Sequence, residues 1–361
     1  MDFLWGAWGA WGLLAVPPLA LLLDLWLGDP RGLPHPVCGV GRMLWRAEAM
    51  ARRYADGLPE GERPAALRRA GVLAVVAVAG GVALVVWGLV RLPVLRPWLG
   101  ALVAVYFAWA GLALGSLLRE GRRTLHAIEH GTLDEARTAV SMLVSRDTAQ
   151  LDRPDLRRAL AETLAENFND GFVAPLFWLL LGGPAGLWGY KAVSTMDSMW
   201  GYRTEQWCDL GRACARLDDV LAWLPARLAA LFLWLSAPLV VKNGGDGGWQ
   251  GFAPMARDAR SMESPNAGWP MSAAAWLHGA SMGGPTPYFG VVKHKPVLGP
   301  RPDADADGAA AAGACGSAPA SAPANAWDAE RLEGLLCHLR AAGLVAAGCL
   351  WSTALLLRLL A

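Results

Sequence analysis

Charge is scarce in this 361-residue chain. Only 17% of its residues are Asp, Glu, Lys or Arg, against roughly 25% in an ordinary soluble domain. That excludes a disordered or fibrous chain and argues against a simple soluble globule. Net charge is scarce too. The 32 basic and 31 acidic residues leave +1, which gives no basis for nucleic acid as a partner. The six Cys stand at 38, 208, 214, 315, 337 and 349, with no CxxC pair and no cluster of Cys and His together at zinc-ligand spacing. A disulfide framework and a thiolate zinc site are thereby set aside, which leaves reduced, structural cysteines. There is no GxxxxGK[ST], no GxGxxG after a strand, no HExxH and no GxSxG, so any use of ATP requires a less familiar site. No strand-rich region and no internal repeat is evident, so the expected fold is all-α with irregular loops.

What the chain has instead is apolar length. Hydrophobic residues make up 54% and mean hydropathy is +0.30. The 19 Trp outnumber Tyr and Phe together, as expected of a protein with many membrane–water interfaces. A bilayer core needs roughly 20 apolar residues in a helix. Stretches 3–23, 70–90, 98–118, 220–241 and 341–357 qualify or come close, the first carrying Pro17-Pro18, which should kink or break it. A sixth stretch, 172–190, carries Pro175, Gly182, Gly183, Pro184 and Gly186 and reads as a broken or re-entrant segment. The expectation is a polytopic integral membrane protein with about five transmembrane helices, the broken segment and cytoplasmic helical loops. Segments 28–69 and 119–171 each hold eight Arg, so the side they share is the expected cytoplasmic one.

Between the spans, apolar residues from Leu125 to Val144 recur at helical spacing. Thr132 and Glu135 form a capping-box pattern, and Asp152 before Pro154 reads as the start of another helix. Residues 300–327, rich in Ala, Pro, Gly and Asp, read as a flexible linker. The expected organisation is a membrane domain over 1–299, that linker, and a C-terminal transmembrane helix over 328–361.

Four polar clusters interrupt the apolar pattern. The first holds Asp24, Asp29, His35 and Arg42. Two X-Pro steps should hold His35 in an extended, rigid loop suited to a phosphorylated or carboxylated ligand. The second holds Arg146, then Glu162, Glu166, Asn167 and Asp170. Four-residue spacing puts these acids on one helix face, where they repel unless a cation such as Mg2+ sits between them. Glu162 by itself reads better as part of a solvated acidic face. The third cluster holds Lys191, Ser194, Asp197, Ser198 and Tyr202, followed by Asp218, Asp219 and Arg227. Charges this close to apolar stretches need ion pairs or a ligand. The fourth holds Arg257, Asp258, Arg260 and the Pro265-Asn266-Ala267-Gly268 turn, whose backbone N–H groups could face an anion.

In these clusters the chain closely resembles the CobD/CbiB family of cobalamin biosynthesis. The stretches that carry the resemblance are LLLDLWLGDPRGLPHPVCGVGRM, SRDTAQLD, AETLAENFNDGFVAPLFWLLLGGPAGLWGYKAVSTMDSMWGY, ARLDDVLAWLPARLAA, RDARSMESPNAGWP and MGGPTPYFGVVKHKPVLG, from about residue 20 to 299. The resemblance implies an inner-membrane enzyme with its site facing the cytoplasm. The implied reaction is an ATP-dependent, Mg2+-requiring amide ligation. It joins adenosylcobyric acid to (R)-1-amino-2-propanol O-phosphate, or to free aminopropanol, giving adenosylcobinamide phosphate. Other late corrin-pathway enzymes are candidate partners, beside the lipid bilayer. On this reading Glu166, Asp170 and Asp197 hold Mg2+ and nucleotide phosphates. Arg42, Arg146 and Lys191 face phosphate groups, and Asp29 or His35 is the base for the amine. Asn167, Ser198, Tyr202 and Asn266 orient substrates. The chain departs from the family pattern at Phe168, Asn169, Ser194 and Met271, the last standing where an acidic residue is frequent. A membrane transporter and a non-catalytic scaffold for corrin-pathway enzymes are the alternatives.

Overall fold

A computed structural model describes residues 9–29, 35–91, 97–241, 252–288, 291–301 and 325–360. Most of the expected linker, the start of the first apolar stretch and part of the first polar cluster (residues 30–34) lie outside the described residues. The described chain is overwhelmingly helical, an all-α polytopic membrane protein carrying one small hairpin. Its helices are α1 Gly9–Leu27, α2 Pro36–Asp56, α3 Arg63–Ala74, α4 Gly80–Arg91, α5 Pro97–Gly111, α6 Leu114–His130 and α7 Leu133–Ser141. These are followed by α8 Arg153–Phe168, α9 Ala174–Trp200, α10 Arg212–Leu221, α11 Trp223–Val240, α12 Phe252–Ala259, α13 Gly268–Leu277 and α14 Ala329–Leu359. Wide π turns at Val75–Ala79 and Asn169–Val173 join α3 to α4 and α8 to α9.

Five helical stretches are long and apolar enough to cross a membrane: Glu60–Arg91, Trp98–His130, Arg153–Trp200, Trp223–Val240 and Ala329–Leu359. Gly12–Leu27 is a shorter sixth. Pro17 and Pro18 lie inside α1 without breaking it. Proline holds φ near its helical value, so the cost falls on the missing N–H donors more than on the backbone path. The expected break in 172–190 is present. Within α9, Gly183 adopts φ 62°, ψ −164° just before Pro184.

The local signals at 119–168 fold as their spacing dictates. The Thr132 Oγ1 accepts from the Glu135 N–H at 3.3 Å while Glu135 Oε2 accepts from the Thr132 N–H at 2.7 Å, satisfying two orphan donors at the start of α7. Asp152 Oδ1 caps α8 through the Asp155 N–H at 2.9 Å. The antiparallel hairpin of β1 (Met282–Tyr288) and β2 (Val291–Leu298) was not expected. Its two prolines in β1 and three glycines nearby mask the alternation on which a strand reading depends.

The chain divides into two compact units. Unit 1 comprises Met1–Ser116, Asp170–Pro225 and Ala346–Ala361. Unit 2 comprises Leu117–Asn169 and Ala226–Val345. In unit 1, α9 packs against α4, α5 and α10. Its inner face places Ala192, Met196 and Trp200 against Val40, Leu44, Val75, Val78, Leu210 and Cys214. In unit 2, α8 packs against α13 and α7, and Leu156, Leu160, Leu164 and Phe168 are wholly buried along it.

Candidate functional site

The polar residues of unit 1 gather where the end of α1, the start of α2, α9 and α10 supply them. Asp24 is fully buried on α1, and its Oδ2 accepts from the Gly115 N–H at 2.8 Å. Only glycine allows this approach, because a Cβ on Gly115 would lie 2.0 Å from the Asp24 carbonyl oxygen. The next residues are held the same way. Trp109 Nε1 donates to the Gly28 carbonyl at 2.8 Å, and the Asp29 N–H donates to Ser116 Oγ at 2.8 Å. The Asp29 side chain stays exposed.

His35 is extended, at φ −76°, ψ 126°, as its flanking prolines require. It does not sit in a loop that runs on to Arg42, however. Pro36 is the first residue of α2, where its missing N–H costs nothing. His35 Nδ1 accepts from the Val37 N–H at 3.3 Å and so caps the helix. Burial lowers the His35 pKa from its usual value. Asp29 and a backbone hydrogen bond with Ala110 pull it up, and Lys191 pushes it down. At neutral pH the ring is neutral, with its Nδ1 lone pair already engaged. Arg42 lies on the exposed side of α2.

On α9, Lys191 Nζ donates to the Gly111 carbonyl at 3.3 Å. Asp24, Asp29 and Asp170 are the carboxylates acting on it. Asp197 accepts through its backbone oxygen from the Gly201 N–H at 2.6 Å. Ser198 is exposed and turns its hydroxyl back to the Ser194 carbonyl at 2.9 Å. Tyr202 follows, half-buried. Asp218 on α10 joins this group. Burial, then Asp170, Asp197 and Asp219, push its carboxyl up to about 9. Asp170 is common to the two sets, acting on Lys191 and, with Asp197, on Asp218.

In unit 2, Glu162 is not a solvated acid. It is 1% exposed and forms a salt bridge with Arg146, itself 7% exposed. Its Oε1 accepts from the Gly283 N–H at 2.8 Å, and Arg158 Nε stands 4.0 Å away. Arg146, expected to face phosphate, is therefore committed to a carboxylate within the fold. One turn on, Glu166 and Asn167 are exposed. Asn167 Nδ2 donates to the Thr163 carbonyl at 2.9 Å. A π turn, Asn169–Val173, follows Phe168 and carries Asp170.

Asn266 is also committed. It is 5% exposed, and its Oδ1 accepts from Arg227 Nη1 at 3.3 Å. The guanidinium of Arg227 lies 4.8 Å from the Trp269 ring centroid. The turn's N–H groups do not face outward as expected. Those of Asn266 and Ala267 both donate to Ser264 Oγ at 3.3 Å. Asp258 ties the region together, its Oδ2 accepting from Trp276 Nε1 at 2.8 Å and from the Gly299 N–H at 2.9 Å. Of the departures from the family pattern, Phe168, Asn169 and Met271 are buried.

Comparison with known proteins decides the family. The family model described as "CobD/Cbib protein" matches residues 17–315. The chain belongs to the CobD/CbiB family. Cobalamin biosynthesis protein CobD of Pelobacter propionicus is 43% identical over 286 residues, covering 78% of this chain and 83% of the relative. CobD of Geobacter metallireducens is 42% identical over 286 residues, 79% and 86%. Cobalamin biosynthesis protein CbiB of Salmonella choleraesuis is 39% identical over 282 residues, 78% and 85%. No solved structure matches significantly. The family match runs past residue 299, where the motif-level resemblance stops.

Among the described residues no three His, Cys, Asp or Glu side chains converge as metal ligands. Mg2+ does not require three, since it is commonly held by one or two carboxylates with waters and substrate phosphates. Asp170 and Asp197 are oxygen donors of that kind, and the crowding of negative charge at Asp218 is what a divalent cation would relieve. Sequence reading named Asp218 and Asp24 in its clusters but gave neither a role. Their importance comes from burial and neighbours distant in sequence.

Proposed function

We propose that this cobalamin-biosynthesis protein is an ATP-dependent amide ligase. It would join a propionate carboxyl of adenosylcobyric acid to (R)-1-amino-2-propanol O-phosphate, or to free aminopropanol, giving adenosylcobinamide phosphate. Membership of the family supports the pathway, and the observation that carries the chemistry is Asp170, which acts on Lys191 and, with Asp197, on buried Asp218.

A carboxylate resists attack by an amine until it is converted to an acyl phosphate or adenylate. That step places negative charge on the transferring phosphoryl oxygens, where cations stabilise it. Bound Mg2+ would supply Lewis-acid neutralisation of the nucleotide phosphates. Asp170 and Asp197 are the residues that would hold it, with Asp218 beside them. Lys191 offers its ammonium group to phosphoryl oxygens. The incoming ammonium must lose a proton before it attacks. Asp29, exposed on the same loop, is the freer acceptor, because His35 spends its Nδ1 lone pair on α2. Glu166 and Asn167, exposed at the end of α8, are assigned to substrate positioning, and so are Ser198 and Tyr202. Arg146 and Asn266 act through the fold. The bacterial inner membrane with a cytoplasm-facing site is the location that the Arg-rich segments support.

The test is reconstitution. The full chain in detergent is supplied with adenosylcobyric acid, Mg-ATP and either form of the amine, and the amide is followed by mass spectrometry. ATP-dependent product that disappears in Asp197→Ala and Glu166→Ala supports the reading. No product from a folded preparation with either amine refutes it and favours the scaffold.

A further inference from the structure

Unit 1 contains a cavity of about 330 Å3 whose lining includes none of the residues assigned above to ligation. Its walls include Gly39 and Met43 of α2, Gly81 and Val85 of α4, Phe107 of α5 and Trp188 of α9. The volume lies in the range of roughly 300–1,000 Å3 usual for small-ligand sites, but such sites normally place a few polar groups for orientation. Here they are nearly missing. Tyr106 supplies the one hydroxyl in the lining, and Trp188 Nε1 is spent on the Phe107 carbonyl at 2.8 Å. A corrin amide, a nucleotide or a phosphate would lose its hydrogen bonds in these walls. Hydrocarbon would not.

The position of the mouth says which hydrocarbon. Val85 is 60% exposed and Met43 is 43% exposed, and both line the cavity. Val85 belongs to the Glu60–Arg91 stretch, which is long and apolar enough to span a membrane, so its open side faces acyl chains. Helix α2 is amphipathic and exposes Trp45, Met50 and Tyr54 together with Arg42, Arg46 and Arg53. Aromatic rings and guanidinium groups are thus exposed together, as at a membrane–water boundary. Gly39, Met43 and Arg46 follow one another at helical spacing. The row that lines the cavity therefore continues into an exposed guanidinium suited to phosphate.

We propose that this cavity is a phospholipid site, holding one acyl chain between α2, α4, α5 and α9 with the headgroup phosphate met by Arg46. Trp188 closes the inner end, and its ring centroid lies 6.3 Å from that of His35. A bound lipid would thus sit one aromatic layer from the polar group of unit 1.

Glycine makes the test clean. A Cβ added at Gly39 or at Gly81 meets nothing within 4 Å, and the same holds at Gly88, which lies on α4 outside the cavity. Gly39→Leu and Gly81→Leu therefore enter the space from α2 and from α4 with no clash at Cβ, and Gly88→Leu is the control. The full chain is delipidated in detergent and titrated with palmitoyl-oleoyl phosphatidylglycerol, and bound lipid is counted by native mass spectrometry. We expect one retained lipid in the wild type and in Gly88→Leu. Its affinity should fall about tenfold or more in each filling variant, the factor expected from losing burial of two methylenes. Arg46→Gln should weaken it less. Equal retention in all the glycine variants would overturn the proposal. So would unchanged lipid binding with a raised KM for adenosylcobyric acid, which would give the cavity to substrate. The lipid counts do not depend on whether ligation is the reaction; the KM comparison rests on that reading.

Discussion

Arg146→Ala separates a structural role from a phosphate-binding one. The substitution leaves Glu162 1% exposed, with its Oε1 still accepting from the Gly283 N–H at 2.8 Å but its Oε2 without the guanidinium. Removing one member of a buried ion pair costs about 3–5 kcal/mol, because the remaining charge stays desolvated. Arg158 Nε, 4.0 Å from Glu162, is 26% exposed and recovers part of this, so the lower end applies. At about 2–4 °C per kcal/mol for a domain of 150–250 residues, melting in detergent should fall by about 6–12 °C. The double variant Arg146→Met with Glu162→Gln removes both charges and keeps an amide oxygen for Gly283. It should regain most of the loss. Scanning fluorimetry with and without Mg-ATP reads both effects. If Arg146→Ala melted within 2 °C of the wild type and lost protection by Mg-ATP instead, the pairing argument would be wrong and the phosphate role restored.

Other residues carry smaller and more directional expectations. The lowered His35 pKa means that the unfolded chain binds the proton more readily, so stability should fall as pH drops below about 6.5. His35→Asn keeps a cap and should flatten that dependence, whereas His35→Ala should lose about 1 kcal/mol of stability at pH 8; thermal melts across pH 5–8 distinguish them. Asp218 has the opposite sign. With its carboxyl at about 9 when folded, the folded chain keeps a proton that the unfolded chain loses, so stability should decline as pH rises from about 4 to 9. Millimolar Mg2+ should reverse the decline, and Asp218→Asn should abolish both effects in the same melts. Gly283→Ala should be severe, because φ is +85° and the new Cβ would lie 2.0 Å from the Pro296 carbonyl oxygen. Failure to accumulate folded protein by size-exclusion chromatography is the expected outcome, and a wild-type profile would contradict it.

Periodicity and composition were enough for the membrane character, the helical class and the caps at Thr132 and Asp152, because those depend on neighbours a few residues away. The four clusters were legible for the same reason, as charges placed against apolar runs. What each charge does was not legible. Glu162 and Glu166 are one helical turn apart and chemically alike. Yet the fold buries the first against Arg146 and Gly283, 16 and 121 residues distant, and leaves the second exposed. His35 looks like a base in a proline-rich loop until Pro36 starts a helix and draws the Nδ1 lone pair into its cap. Asp218 acquires its raised pKa because the fold buries it on α10 and then because the π turn and α9 bring Asp170 and Asp197 beside it. The hairpin at 282–298 escaped because its prolines and glycines hide the period-two pattern, and its glycine N–H became visible as a ligand of Glu162 only in three dimensions. Sequence by itself determined which residues are polar where polarity is costly. The tertiary structure decided which of them are satisfied by the fold and which remain for a substrate, because burial and long-range pairing are properties of packed helices and not of spacing along one chain.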